Sequence, residues 1–464
     1  MKKITLSILV LCLQLSFCIQ AFAGWRVENI SVFFNHNPKT KYREPYRGIE
    51  RAGDNLEAVF LKGIEVAQKS IDLAVMDLRL PLIAKALAAK SKQGVQVRIV
   101  LDNKYSFPLS ALTPEQVAAL PPFDRARYDE FVRLVDLNHD GVMSPEEIAD
   151  RDSLVILHNA GVKYIDDTAD GSKGSGIMHH KFMVVDGKLT FVSSANLTTS
   201  DVHGDFIAPN TRGNTNALVV IDDIGFTKIF STEFAELWSA HFGLKKAYRG
   251  LQVVKVGSIP IAIQFSPTSK TKGYEASTNG FITREVLSAK KSASMALFVF
   301  SEQAMANALQ QLSDHGGSVR TLIEPLFANR YYSELLDMFG LAMLNPKCTY
   351  EKDNMLWTKP IKTAGIPNLP TGDFLHHKFA VIDHSRVIFG SHNWSNAANR
   401  LNDETLIDIA NDDIAAMFEF EFQNLYDNSL LGPQPWLLQK IKDIEKSCGK
   451  FRARRSVEAD SVGF

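Results

Sequence analysis

The sequence predicts an α/β fold built twice, as two pseudo-symmetric halves, and three observations predict it. A phrase of the form H-x-K-x4-D-x6-[GS]-S-x-N occurs at residues 179–196 and again at 376–393. Flanking residues repeat too. Ala67-Gln68-Lys69-Ser70 matches Ala289-Lys290-Lys291-Ser292, and Val97, Arg98 and Asp102 match Val319, Arg320 and Glu324. Finally, segments of helical apolar spacing alternate with β-branched runs, the pattern of layered α/β structure.

Taken in order, residues 56–69 space their apolar side chains as a helix does, and 71–76 read as a strand. Residues 82–91 are helical again, and 95–101 are the β-branched run of a buried parallel strand. The motif strands follow at 181–185 and 378–382, with later strands at 217–221 and 405–409. Strands alternating with helices predict mostly parallel sheets. Phe33, Phe34 and Phe265 fall on matching first strands, where core packing is their ordinary role. The repeat offset is 222 ahead of residue 102 and 197 at the motifs, so the first half carries 25 extra residues between positions 102 and 179. The predicted halves are residues 24–249, with an insertion at about 122–155, and residues 250–448. Residues 449–464, with Arg452, Arg454 and Arg455, read as a disordered tail.

A chain of 464 residues has length for two or three domains and large cores. Its net charge of −1 excludes the whole-surface basic field of a non-specific nucleic-acid binder, though not a local basic groove. Residues 1–23 read as a secretory signal: Lys2 and Lys3, an apolar run at 4–19, then Ala21-Phe22-Ala23 ahead of cleavage before Gly24. Export to a bacterial periplasm or to the medium is the expectation. Cys12 and Cys18 leave with the signal, and Cys348 and Cys448 either pair or stay free. A bond between them would close a loop of about 100 residues, worth ~4 kcal/mol by chain entropy.

The motif residues carry chemistry. On a strand, residues i and i+2 share a face, so His179 projects with Lys181 and His376 with Lys378. His180 and His377 point the other way, as packing or hydrogen-bonding residues. Ser194 with Asn196, and Ser391 with Asn393, form small polar corners whose side chains can donate to phosphate oxygens. No nucleophile elbow, P-loop or H-E-x-x-H is present.

On these residues the chain resembles the phospholipase D superfamily, through both of its HKD motifs and over nearly all of the predicted mature sequence. The resemblance implies two α/β/α sandwich halves pooling their motifs into one site. It implies a two-step phosphodiester transfer in which one histidine attacks phosphorus and the other protonates the leaving alcohol and then activates water. Lys181, Lys378, Asn196 and Asn393 would bind phosphoryl oxygens, and the chemistry needs no metal. Asp186 and Asp383 belong to the same catalytic motif but stand seven residues on, where they are read as holding the motif strands and neighbouring backbone. Glu404 sits where the family places a carboxylate that orients its histidine; Asn216, at the matching place in the first half, departs from that pattern. With Glu404 assigned to His376 and the amide to His179, His179 reads as nucleophile and His376 as acid.

The insertion spells D-x-[DN]-x-[DN]-G-x5-E from Asp136 to Glu147 and resembles an EF-hand. Asp136, Asn138, Asp140, the Val142 carbonyl, Ser144 and Glu147 would ligate a structural Ca2+, with Gly141 at the sharp turn. Residues 125–135 would enter the loop as a helix, and Ser144-Pro145 would cap the exit.

Hydrolysis of phospholipid head groups at a membrane surface is the leading expectation, with calcium bound in the insertion. A secreted endonuclease of the same chemistry, acting on DNA or RNA, is the alternative. A groove carrying Lys104, Arg330 and Arg400 would serve it. A third reading is a calcium-dependent, non-catalytic module for membranes or partners, against which both intact histidine motifs argue. With both motifs in one chain, a monomer suffices.

Overall fold

A computed structural model describes the backbone of residues 24–461 and the side chains of 24–449. The predicted signal lies outside the described residues.

The first half forms one eight-stranded sheet from β1 (Trp25–Val27), β2 (Ile30–Phe34), β3 (Ser70–Val75), β4 (Gln96–Leu101), β5 (Lys163–Asp166), β6 (Lys181–Val185), β7 (Leu189–Ser193) and β8 (Ala217–Asp222). Their spatial order is β1-β2-β8-β7-β6-β3-β4-β5. The second half repeats it with β9 (Gln252–Val256), β10 (Ile259–Ser266), β11 (Ser292–Leu297), β12 (Ser318–Ile323), β13 (Ala364–Ile366), β14 (Lys378–Ile382), β15 (Arg386–Gly390) and β16 (Glu404–Ala410), and β17 (Leu430–Leu431) adds an edge. The order is β9-β10-β16-β15-β14-β11-β12-β13-β17, the same arrangement with one strand more.

The two-half α/β architecture stands, but the sheets are not mostly parallel. Only β3–β4–β5 and β11–β12–β13 run parallel. Every other pairing in the two sheets is antiparallel. The physical reason is connection length. Helices cross over between the parallel strands, whereas β6 turns straight into β7 through Asp186 (φ 52°) and Gly187 (φ 64°), and β14 into β15 through Asp383 (φ 51°) and His384 (φ 56°). A tight turn with positive φ returns the chain antiparallel.

Two helices lie in the central core, α1 (Ile224–Trp238) and α2 (Asp412–Tyr426), capped alike by Asp223 and Asn411. Phe226, Phe230 and Phe234 of α1 join Phe418 and Phe422 of α2 and residues from both sheets in one buried cluster. The exchange is reciprocal: Phe34 of the first sheet meets Phe418 at 5.0 Å, and Phe265 of the second meets Phe230 at 5.3 Å. Each large apolar side chain buried here contributes about 1.5–3 kcal/mol, so the halves are fastened through their cores rather than hinged. Two further clusters fill the outer sides of the sheets.

The insertion forms α3 (Pro122–Val135), a loop, and α4 (Pro145–Arg151), as the capping signals predict. The last helix, α5 (Pro435–Ser461), carries helical backbone into the segment expected to be a disordered tail, which is rich in the good helix formers Ala, Glu, Lys and Arg. Cys348 and Cys448 form a disulfide, deciding between the two open readings. No helix among the described residues is long and apolar enough to cross a membrane.

Candidate active site

The segments leading into β6 and β14 each lie against the other half. The His179 N–H donates to the Asp403 carbonyl at 2.9 Å, and the Asp403 N–H to the Ile177 carbonyl at 2.9 Å. In the opposite sense, the Thr215 N–H donates to the Phe374 carbonyl at 2.9 Å, and the His376 N–H to Thr215 Oγ1 at 3.2 Å. This crossed pairing decides which residue orients which histidine.

Glu404 Oε2 lies 2.6 Å from His179 Nδ1, and Asn216 Oδ1 lies 3.0 Å from His376 Nδ1. The expectation that Glu404 orients His376 is therefore corrected: carboxylate and amide are exchanged between the halves. With an acceptor at Nδ1, each ring holds its proton there and turns Nε2 to the site. Ser391 Oγ donates to Glu404 Oε2 at 2.7 Å, and Ser194 Oγ to Asn216 Oδ1 at 2.8 Å. Both serines are fully buried and also accept backbone N–H groups from Thr405 and Ala217. They hold the orienting groups in place, which removes them from the phosphate-binding set.

Lys181 and Lys378 are buried, and each Nζ donates to the carbonyl of its own motif histidine, at 3.1 Å and 2.6 Å. Burial pushes Lys181 down to about 8, against the raising effects of Glu404, Asp201 and Asp102. Burial and then the Lys181 charge hold Lys378 well below the lysine range. Burial, followed by the charges of both lysines, holds both His179 and His376 well below the usual imidazole range. Each motif histidine is thus held at Nδ1 by the other half, and the charge of each lysine acts on both rings.

The side-chain oxygens of Asn196 and Asn393 are buried and have no hydrogen-bond partner among the described residues. Their amides remain available to a phosphoryl group. Asp186 and Asp383 lie elsewhere. The Asp186 carboxylate accepts the N–H groups of Gln68, Lys69 and Ser70 at 2.7–2.8 Å, and Asp383 accepts those of Lys290, Lys291 and Ser292 at the same distances. They pin the far ends of the motif strands and leave the catalytic set. His180 bonds Thr405 Oγ1 and Glu233, and His377 bonds Glu421, both facing away into the core between the halves.

Three acids at the site had no role in the sequence reading. Asp102 Oδ2 accepts the Met178 N–H at 3.0 Å, and Glu324 Oε2 accepts the Leu375 N–H at 2.8 Å, so matching carboxylates hold the residue before each histidine. Burial pushes Asp102 up to about 6 and Glu324 up to about 7. Their match in the repeat was the available signal. Asp201, 3.8 Å from His376 Nδ1, had none, because nothing in its spacing marks it.

In the insertion, the Gly141 N–H (φ 85°) donates to Asp136 Oδ2 at 2.9 Å, while Asp136 Oδ1 is buried without a hydrogen-bond partner. Asn138 and Asp140 follow on the loop, and Ser144 caps α4. An orphaned carboxylate oxygen at the first loop position, ahead of further oxygen donors in order, fits a hard cation. Glu147 spends its oxygens on the N–H groups of Leu137, Asn138 and Ser144. Among the described residues, no three His, Cys, Asp or Glu side chains are gathered as a metal cluster.

A family profile described as "Cardiolipin synthase, PLD-like domain" matches residues 60–238 and 282–426. The mitochondrial cardiolipin hydrolase of Xenopus tropicalis is 26% identical over 175 residues, 38% of this chain and 57% of the relative. The human protein of that name is 26% identical over 169 residues, 36% of this chain and 57% of the relative. The chain thus spans little more than half the length of these curated relatives. Among solved structures, the phosphatidylserine synthase of Haemophilus influenzae superposes with a TM-score of 0.55 at 11% identity, over 94% of this chain and 95% of that one, a likeness of fold.

Proposed function

The chain belongs to the phospholipase D superfamily, and from that premise we propose that it is an exported phosphodiesterase that hydrolyses phospholipid head groups through a phosphohistidine. One observation carries the reading: each motif histidine has its Nδ1 occupied by a residue of the opposite half and a buried lysine of its own motif beside it.

His179 is the nucleophile, on an argument that replaces the one drawn from the sequence. Glu404 keeps the proton on Nδ1, leaves the Nε2 lone pair free, and steadies the positive ring once phosphorus is attached. Nε2 attacks phosphorus, the bond to the leaving oxygen breaks, and His376, carrying a second proton at Nε2 as imidazolium, delivers that proton to the leaving oxygen. His376 then takes a proton from water, the hydroxyl attacks phosphorus, and the P–N electron pair returns to His179. Lys181, Lys378, Asn196 and Asn393 bind the phosphoryl oxygens as their charge grows. Lipid is favoured over nucleic acid by the cardiolipin hydrolase relatives and by the net charge of −1, which gives no general attraction to a polyanion.

The proposal includes Ca2+ held by Asp136, Asn138, Asp140, the Val142 carbonyl, Ser144 and Glu147, with Glu147 leaving its capping role. The ion would supply charge neutralisation and rigidity to the insertion and takes no part in the phosphoryl steps.

The test offers the purified protein phosphatidylcholine, cardiolipin and plasmid DNA side by side. Head-group release from lipid is expected, with His179→Ala and His376→Ala each losing more than about 10³-fold. Plasmid cleavage without lipid turnover would move the substrate to nucleic acid. Full activity in either variant would remove the shared site.

A further inference from the structure

The two halves treat their orienting carboxylates differently. Glu404 reaches His179 directly, while at the equivalent place Asn216 offers His376 an uncharged acceptor. An acid from another element faces that ring. Asp201 lies in the short helix Thr199–Val202, and its N–H donates to the capping Thr198 Oγ1 at 3.2 Å. In the second half, 197 positions on, the Ala398 N–H donates to the capping Ser395 Oγ at 3.3 Å. The caps coincide, so Asp201 and Ala398 are structural equivalents. Two places in each half can hold an acid, and each half fills one of them. The first has Asp201 and Asn216; the second has Ala398 and Glu404.

Asp201 is buried, and its carboxylate is held by neutral donors. Oδ1 accepts from Asn214 Nδ2 at 2.6 Å and Oδ2 from the Asn196 N–H at 2.8 Å. Its carbonyl accepts from Asn216 Nδ2 at 3.0 Å, which turns Asn216 Oδ1 toward His376. Oδ1 stands 3.8 Å from His376 Nδ1, and His376 is its one ion-pair partner among the described residues.

We propose that Asp201 is a positioning residue that gives His376 the negative charge Glu404 gives His179, a carboxylate relocated within the first half and still acting on the other. This deepens the two-step reading and rests on it. To protonate a leaving alkoxide, His376 must carry a second proton. Burial, Lys378, Lys181, His179 and His377 all oppose the imidazolium, while Asn216 and the edge-on Phe298 ring bring no charge to balance it. Asp201 is the anion at hand. Its longer distance suits a ring that must give up the proton and then recover one.

The experiment compares wild type, Asp201→Asn, and Asp201→Asn combined with Asn216→Asp on two esters. One is bis(4-nitrophenyl) phosphate, whose phenolate leaves without help, and the other a short-chain phosphatidylcholine, whose alcohol needs a proton. Asp201→Asn should lower kcat on the alkyl ester about 10²-fold and on the nitrophenyl ester less than tenfold, with the added Asn216→Asp restoring most of the loss. Equal losses on both esters, or no recovery, would overturn the proposal. If wild type turns over neither ester, the functional reading fails by itself. The inference is then judged by NMR titration of His376, whose pKa should fall in Asp201→Asn and recover in the double variant; an unmoved titration overturns it. Should Asp201→Asn not fold, Asn216→Asp alone must raise the His376 pKa, and no rise overturns it equally.

Discussion

Lys181 shows how burial sets the working range of a single residue. Its pKa of about 8 means the cation is lost as pH rises through 8, and with it the attraction for phosphoryl oxygens. kcat/KM should therefore fall along an alkaline limb near pH 8, and Lys181→Arg, which stays charged, should remove that limb while lowering the rate through changed geometry. Initial rates from pH 5 to 10 check both. Stability moves the other way. The folded pKa lies below that of an unfolded lysine, about 10.4, so the unfolded chain binds more protons in between, and this residue's contribution rises with pH from about 8 to 10. At this scale the repeated spacing marks His179, His376, both lysines and both asparagines as candidates. Residue partnership was not legible in the sequence. Glu404 and Asn216 come from the half opposite to the histidines they orient, and Ser194 and Ser391 donate to them.

Among elements, the motif strands divide into a catalytic start and a structural end. Asp186→Ala would leave three N–H groups of Gln68, Lys69 and Ser70 without their acceptor and place alanine at φ 52°. A loss of about 1–3 kcal/mol is expected, with kcat changed less than tenfold, read by urea melts and initial rates on the same sample. An intact melt joined to a dead enzyme would return Asp186 to the chemistry. The insertion gives a second prediction. Calcium should raise the melting temperature, EDTA lower it, and Glu147→Gln blunt the difference, with turnover per folded molecule unchanged; identical melts in calcium and EDTA would remove the ion. Element positions were legible because apolar spacing is local. Strand direction departs from the parallel pattern because Asp186-Gly187 forms a tight turn into the short β7, which pairs antiparallel with β6, a local signal that the longer alternation of strands and helices masks.

Across the whole molecule, the two halves act as one body. The central core draws on both, and the Cys348–Cys448 bond spans 100 positions to tie α5 to a loop of the second half. Reduction, or Cys348→Ser, should cost about 4–5 kcal/mol by loop entropy while leaving rates on a soluble phosphodiester within twofold below the melting temperature. An unshifted thermal melt would show that the bond bears no load. The sequence by itself determined that the chain is built twice, which side chains are candidates for the chemistry and where the insertion lies, since repetition and spacing are properties of the chain. Only the tertiary structure decided that each histidine is oriented from the opposite half, that Asp201 faces the ring Glu404 does not reach, and that the cysteines pair. Those are contacts between residues 100 or more positions apart, and no local pattern encodes which surfaces two packed sheets bring together.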